Sequence, residues 1–108
     1  LEAKRLLSRL ALSYNLWERR ISMLATFAFV KVGQFELPLL IARMHLGDKH
    51  DLMHKATGWM IREIGKRNPR TMEGFLTDHY KNMPRTMLRY AIEHLPAGRR
   101  QAFLTGRV

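Results

Sequence analysis

The feature that most constrains this sequence is the recurrence of apolar residues every three or four positions, interrupted at short intervals by Asn, Gly or Pro. That spacing places apolar side chains on one stripe of an α-helix, and the interruptions supply helix ends. No segment alternates apolar and polar residues between hairpin-type turns, so strands are not expected. The sequence therefore predicts an all-α fold, and its 108 residues suit one domain.

The helix-end signals predict about six helices and a short terminal turn. The first helix carries Leu6, Leu7 and Leu10, and Asn15 is the expected N-cap of a second helix that runs to Val32, before Gly33. Pro or Asn opens most of the later segments. These are predicted at about 38–46, 51–66, 68–81 and 82–95, with a last turn over 99–104.

A weak internal repeat suggests how the helices stack. The segment Leu16–Arg20 lines up with Leu52–Ala56, which begins 36 positions later. A helical pair that repeats at this period is typical of a HEAT or armadillo-like α-solenoid of antiparallel helix pairs. An ordinary helical bundle is the alternative.

The charge balance indicates the kind of partner. Lys and Arg number 19 against 9 Asp and Glu, a net charge of +10 spread along the chain rather than gathered in a tail. A basic folded surface of this kind favours an anionic partner, nucleic acid first and an anionic membrane second. No apolar run is long enough to span a bilayer, and no signal peptide is visible. The absence of cysteine is compatible with a reducing compartment, so a cytoplasmic location is expected.

The segment 51–66 separates into an apolar and a basic stripe when it is projected as a helix. The expected core residues are Leu52, Met53, Ala56, Met60 and Ile64. Trp59 falls outside the centre of that stripe, beside Lys55, Arg62 and Lys66. Such cations can neutralise phosphates while the ring contacts a sugar or base. The alternative is that Trp59 packs on a neighbouring helix and the lysine stems cover its edge.

Arg20 is a cation among apolar residues. It lies on one face of a mostly apolar helix with Leu16, Leu24, Phe27 and Lys31. A buried guanidinium is costly unless it is paired. Arg20 must therefore reach a carboxylate, a solvent groove or a phosphate. A phosphate contact and an ion pair with a neighbouring helix both fit the sequence.

Arg85 and Arg89 lie one turn apart and could contact successive phosphates of a nucleic-acid backbone. The alternative for Arg89 is a solvated pair with Glu93, four residues on. His50 and His54 could share a metal, but no third ligand follows at a diagnostic spacing, so neither a metal nor a cofactor is expected. Glu63, close to Lys66, is expected to stay ionised in surface pairs.

Three blocks of the sequence resemble a known family. They are Asn15-Leu-Trp-Glu-Arg-Arg-Ile21, His50-Asp-Leu-Met-His-Lys-Ala-Thr-Gly-Trp-Met-Ile-Arg-Glu-Ile-Gly-Lys66 and Met83-Pro-Arg-Thr-Met-Leu-Arg-Tyr-Ala-Ile-Glu93. In order and spacing they are similar to the DNA alkylation repair family of alkylpurine DNA glycosylases, and the part from Lys55 to Lys66 is the most characteristic. The resemblance implies a HEAT-like solenoid and hydrolysis of the N-glycosidic bond of N3- or N7-alkylated purines in double-stranded DNA.

The resemblance also implies a concave cleft of two tryptophans, an arginine and an aspartate. Arg20 matches the arginine, which would hold a backbone phosphate, and Trp59 matches the second tryptophan, which would contact the lesion nucleotide. The residues expected to bind DNA are Arg19, Arg20, Lys55, Trp59, Arg62, Lys66, Arg85 and Arg89.

The first tryptophan and the aspartate of that cleft belong to an earlier helical pair, and residues 1–15 contain neither. The resemblance therefore implies that residues 1–108 are the C-terminal segment of the repair domain and that this segment is inactive alone. The alternatives are a HEAT-like scaffold for an acidic peptide, and a helical module that binds RNA or an anionic membrane.

Overall fold

The computed structural model describes residues 2–108, and all the regular secondary structure in that range is helical. The helices are α1 Glu2–Ala11, α2 Leu16–Leu24, α3 Phe27–Lys31, α4 Glu36–Met44, α5 Asp51–Arg67, α6 Pro69–His79, α7 Arg85–Ala91 and α8 Ala97–Thr105. A short 3-10 turn, Tyr80–Asn82, follows α6. The all-α prediction is confirmed. None of these helices is both long and apolar enough to cross a membrane.

Several helix ends lie where short-range chemistry predicts them. The Asn15 side chain accepts hydrogen bonds from the backbone N–H groups of Trp17 and Glu18, at 2.8 and 3.3 Å, and so caps α2. Asn68 caps α6 in the same way, with Pro69 as the first helical residue. Gly33, with φ +79°, terminates the segment that includes α3.

The helix expected from Leu16 to Val32 is two helices, so its predicted continuity is wrong. The chain tightens at Thr26, whose backbone N–H donates to the Met23 carbonyl three residues back. The Thr26 hydroxyl donates to the same carbonyl at 2.6 Å. This local bonding replaces the regular four-residue ladder and separates α2 from α3.

The C-terminal part also differs from the prediction. Helix α7 ends at Ala91 rather than near Leu95, because the backbone tightens into three-residue hydrogen bonds such as that from Leu95 N–H to the Ile92 carbonyl. Instead of a short turn, the chain then forms α8, which has nine residues and ends at Gly106 with φ +74°.

Two contacts fix the direction of α2 and α3 relative to α5. Arg20 Nη1 donates to the Leu52 carbonyl at 2.8 Å, and the rings of Phe27 and Trp59 lie 5.2 Å apart between centroids. Both contacts advance by seven residues on each side, from Arg20 to Phe27 and from Leu52 to Trp59. Helices α2–α3 and α5 therefore run side by side in the same direction.

Helix α7 follows α5 on another side and also runs in its direction. Gly58 faces the backbone of Met87 and the Cβ of Tyr90, and one turn later Arg62 pairs with Glu93. Residue numbers thus increase together along both helices. We count α2–α3 as one broken helix and call α2–α3, α5 and α7, with α5 in the middle, the three-helix row.

Helices α4 and α6 pack on the buried side of the row. Helix α4 contacts α1, α2, α3 and α5, and α6 contacts α5. Met53, Met60 and Ile64 of α5 are fully buried in one cluster with Met23 and Ile41. The molecule measures 39 × 29 × 18 Å, and its thickness matches two layers of helices. Two layers are what a helical-repeat stack requires, while the solenoid itself stays a prediction.

Candidate nucleic-acid interface

The solvent side of α5 carries the stripe that the sequence separates from the core. Met53, Ala56, Met60 and Ile64 are buried in the core, as expected, whereas Leu52 is only half-buried and is not part of the core cluster. Trp59 is half-buried and packs against the core cluster as well as against the Phe27 ring. Trp59 therefore packs on a neighbouring helix, as one interpretation of the sequence had it, and its partial exposure leaves part of the side chain open to solvent.

Arg20 is half-buried and reaches across from α2 to α5. Its Nη1 donates to the carbonyl of Leu52, which is a backbone group rather than the carboxylate or phosphate considered from the sequence. This hydrogen bond holds the guanidinium at the groove between α2 and α5. From there to Trp59 is seven residues of α5, about 10 Å along the helix axis. Arg20 and Trp59 therefore line the same groove.

Arg19 points to the other side of α2. Its Nε donates to Asp48 at 2.9 Å, and its Nη1 donates to the carbonyls of Ser13 and Tyr14 at 3.2 and 3.1 Å. These bonds join α2 to the loops before α2 and before α5. Arg19 thus has a structural role here, and its contact with DNA stays a prediction.

Each of the three cations beside Trp59 on α5 pairs with a carboxylate, and the three cations differ in how exposed they are. Lys55 lies 3.2 Å from Asp51 with its side chain 43% exposed, and Lys66 lies 2.9 Å from Glu63 with its side chain 47% exposed. Exposed pairs of this kind contribute little to stability, so both ammonium groups can turn to another anion. Arg62 is more deeply held, since only 15% of its side chain is exposed and it pairs with Glu93 of α7.

Glu93 therefore pairs with Arg62. The alternative prediction, a pair between Arg89 and Glu93, is wrong. Arg89 is exposed, and no ion pair of residues 2–108 includes it. Arg85 is also exposed, but its Nη1 donates to the Leu104 carbonyl at 3.0 Å and so holds α8 against the start of α7. Of these two arginines, Arg89 has the less restrained guanidinium.

Glu63 stays ionised, but it is a buried carboxylate rather than a surface one. It receives Lys66 at 2.9 Å and Arg67 at 3.1 Å, while its side chain is 8% exposed. Burial alone raises the pKa of Glu63, but the hydrogen bonds from Lys66 and Arg67 outweigh it and bring the pKa below the ordinary 4.5. A carboxylate with a lowered pKa and two cationic partners is poorly suited to act as a general base.

The two histidines considered as metal ligands form hydrogen bonds with backbone groups of the chain. His50 Nδ1 accepts a hydrogen bond from the Leu52 N–H at the start of α5, and His54 Nε2 bonds to the Asp48 carbonyl. In the described part of the chain, no three His, Cys, Asp or Glu side chains form a group that could hold a metal ion.

Residues 1–95 match the family model of the DNA alkylation repair enzyme. The chain belongs to this family. Neither the curated proteins nor the solved structures contain a match to it. Membership supports a role in DNA alkylation repair and makes DNA the substrate class.

In this alkylation repair protein, one polar cluster that the sequence did not reveal is buried beneath the row. Ser22 Oγ lies 2.8 Å from His45 Nε2, and His45 Nδ1 lies 3.7 Å from Asp48. Burial lowers the pKa of His45 below its ordinary 6.5, and Arg19 lowers it too, whereas Asp48 acts in the opposite sense. Although these are the residue types of a hydrolase triad, Ser22 is 0% and His45 1% exposed. A substrate has no access to this serine, so the cluster joins α2 to the chain between α4 and α5.

The sequence also missed Phe27 as part of the repair protein's candidate interface. Its ring orients one side of Trp59, and the cations of Lys31 and Arg67 each lie 5.4 Å from its centroid. The equal seven-residue steps from Arg20 to Phe27 and from Leu52 to Trp59 are consistent with a contact between Phe27 and Trp59. They predict that contact only once the two helices are known to run in the same direction.

Proposed function

We propose that this chain is the DNA-holding part of a DNA glycosylase that hydrolyses the N-glycosidic bond of N3- or N7-alkylated purines in double-stranded DNA. The observation that carries the proposal is the joint position of Arg20 and Trp59 in the α2–α5 groove of a chain from the alkylation repair family. Their separation of about 10 Å along the helix corresponds to about three base pairs of DNA, at a rise of about 3.4 Å each.

The chemistry of the substrate explains why such a site has few catalytic groups. An alkylated purine of this kind carries a positive charge and leaves readily without a general acid. The enzyme has to hold the strand, stabilise the positive charge that develops on the sugar, and place a water molecule. Arg20 would hold a backbone phosphate through its remaining N–H groups, and Trp59 would contact the lesion nucleotide.

The exposed carboxylates of the three-helix row already have partners. Asp51 pairs with Lys55, Glu93 pairs with Arg62, and Glu18 accepts a hydrogen bond from the Ser13 hydroxyl. Residues 1–15 contain neither Asp nor Trp. We therefore propose that the chain binds DNA and does not release bases by itself.

The test is a binding competition between duplex DNA with 7-methylguanine, undamaged duplex and duplex RNA, with released base measured in the same samples. We expect the alkylated duplex to compete best and no base release above the spontaneous rate. Preferential binding of RNA would support an RNA-binding module instead. Substantial base release would contradict the proposal that the chain is inactive alone.

Variants then locate the binding site. Arg20→Gln and Trp59→Leu are each expected to weaken binding of the alkylated duplex about tenfold, the loss for an interaction of about 1–1.5 kcal/mol. Arg43→Gln is the matched control, because Arg43 is an exposed arginine of α4 in the other layer. Circular dichroism and thermal unfolding separate a lost contact from a lost fold. Unchanged binding by folded Arg20→Gln and Trp59→Leu would refute the proposed groove.

A further inference from the structure

A second group of cations lies at the C-terminal ends of α3 and α5, beside the Phe27–Trp59 pair. Lys31 Nζ and Arg67 Cζ each lie 5.4 Å from the Phe27 ring centroid, and this ring lies 5.2 Å from that of Trp59. Lys66, next to Arg67, is also at this end of α5. We call Lys31, Lys66 and Arg67 the distal cations, since they lie beyond Trp59 from Arg20.

The direction of the helices brings these cations together. Lys31 follows Phe27 by one turn, and Arg67 follows Trp59 by two turns. Because α3 and α5 run the same way, both C-terminal ends reach the same end of the groove. The aromatic pair therefore lies between Arg20 at one end and the distal cations at the other.

The local charge is positive and incompletely neutralised. The three distal cations face one carboxylate, that of Glu63, which accepts from Lys66 and from Arg67 Nη1. Within residues 2–108, no carboxylate pairs with Lys31, which is exposed. The net local charge is two positive units. An anion near Lys31 and Arg67 would relieve their mutual repulsion.

The side chains are also ordered in advance of binding. Arg67 Nη1 is fixed by the Glu63 carbonyl at 3.0 Å and the Glu63 carboxylate at 3.1 Å, while its side chain is 33% exposed. The Phe27 ring favours a cation near its face. A guanidinium held in this way loses little conformational freedom when its remaining N–H groups meet a phosphate.

We propose that Lys31 and Arg67 bind a backbone phosphate of DNA on the far side of Trp59, and that Phe27 positions both cations and the indole. The inference rests on the proposed function and extends the DNA path from Arg20 along the α2–α5 groove. The strand would be held on both sides of the nucleotide that Trp59 contacts.

Salt dependence tests the phosphate contact directly. Each phosphate neutralised by the protein contributes about 0.9 to the slope of log K against log salt concentration. The double variant Lys31→Gln/Arg67→Gln is expected to reduce the magnitude of the slope by about 0.9 for undamaged and alkylated duplex alike. Lys31→Gln and Arg67→Gln alone should each remove part of this, because the other cation still faces the phosphate, and Arg67→Lys should keep most of the slope. Arg43→Gln, on α4, is the matched control and should leave it unchanged.

A separate measurement tests the positioning role of Phe27. In a Trp17→Phe background, Trp59 is the only fluorophore of its type, since the chain has two tryptophans. Phe27→Leu should increase quenching of Trp59 by acrylamide and weaken DNA binding, whereas Phe27→Tyr should restore both. An effect on binding without an effect on quenching would overturn the positioning role.

The outcomes separate this inference from the proposed function. If Arg20→Gln weakens binding but Lys31→Gln and folded Arg67→Gln leave the salt slope unchanged, the distal phosphate contact is refuted and the proposed function stands. If none of the three variants affects DNA binding, both are refuted. Binding of anionic phospholipid vesicles that is lost in Lys31→Gln, with DNA binding unaffected, would assign the distal cations to a membrane and refute the DNA contact.

Discussion

Gly58 lies where α5 meets α7 without room for a side chain. A Cβ atom at this position would lie 2.5 Å from the Met87 carbonyl oxygen and 2.7 Å from the Tyr90 Cβ. The first of these atoms belongs to the backbone, so α7 would have to move as a whole. Glycine at position 58 thus permits the close approach of α5 and α7.

Gly58→Ala is therefore expected to destabilise the protein by roughly 1–3 kcal/mol, the usual cost of overpacking. Gly74→Ala is the matched control, because Gly74 lies inside α6, is exposed and has open space at its Cβ position. Alanine there should stabilise the helix by up to about 1 kcal/mol. Urea denaturation of both variants measures the difference, and equal effects of the two substitutions would contradict the close approach of α7.

His45 is expected to make stability depend on pH. Its pKa is lowered in the folded state, chiefly by burial, so folding favours the neutral ring. The stabilisation is complete above the ordinary pKa of 6.5 and is lost as the pH falls below it, because the unfolded chain then binds a proton that the folded chain resists. The free energy of unfolding should therefore fall between pH 7 and pH 5.

In His45→Gln this decline should be much smaller, whereas His94→Gln, which removes an exposed histidine, should keep it. Chemical denaturation at a series of pH values provides the measurement. The lowered pKa of Glu63 acts in a separate window, since its contribution is lost only below about pH 4.5. A decline between pH 7 and 5 that survives His45→Gln would contradict the assignment to His45.

At the scale of the helices, the ends could be predicted where one residue determines them. Asn15 and Asn68 cap helices through their own side chains, and Gly33 adopts the left-handed conformation that glycine enters without steric cost. The break at Thr26 could not be predicted in the same way. A threonine within an apolar run is common in continuous helices, and only its bond to Met23 marks the end of α2.

The ion pair between α5 and α7 is expected to stabilise the protein slightly and to weaken DNA binding. Glu93 pairs with Arg62 and is 59% exposed, so Glu93→Gln should cost less than about 1 kcal/mol of stability. It should also raise DNA affinity a few-fold, because it removes a negative charge from the row and frees the Arg62 guanidinium.

Glu73→Gln is the control, because Glu73 pairs with Arg99 between α6 and α8 and so lies outside the three-helix row. It should lower stability by a similar small amount and leave DNA affinity nearly unchanged. Fluorescence anisotropy with a labelled duplex and thermal unfolding give the two readouts. An equal gain in affinity for both variants would mean that only net charge matters, and the row would then have no special role.

For the whole molecule, the sequence predicts a basic surface but not which cations are available on it. The predicted cluster of Lys55, Arg62 and Lys66 does lie along one side of α5. Their partners depend on neighbouring helices, as with Glu93, which bonds Arg62 rather than Arg89. Arg20 likewise could be predicted to need a partner, but its partner is a carbonyl that only the packing of α2 against α5 brings near.

The salt dependence of DNA binding separates the net charge of the chain from the charge of the cations that contact phosphates. If about five phosphates are neutralised along the three-helix row, the slope of log K against log salt is about −4.5, and affinity falls roughly 500-fold between 50 and 200 mM salt. A double variant Lys66→Gln/Arg89→Gln should reduce the magnitude of the slope by nearly two. The charge-matched variant Lys4→Gln/Arg43→Gln, on α1 and α4, also lowers the net charge from +10 to +8 but should leave the slope unchanged. Released counterions report only the phosphates that the protein contacts, so equal slopes for the two double variants would show that DNA does not bind along the row.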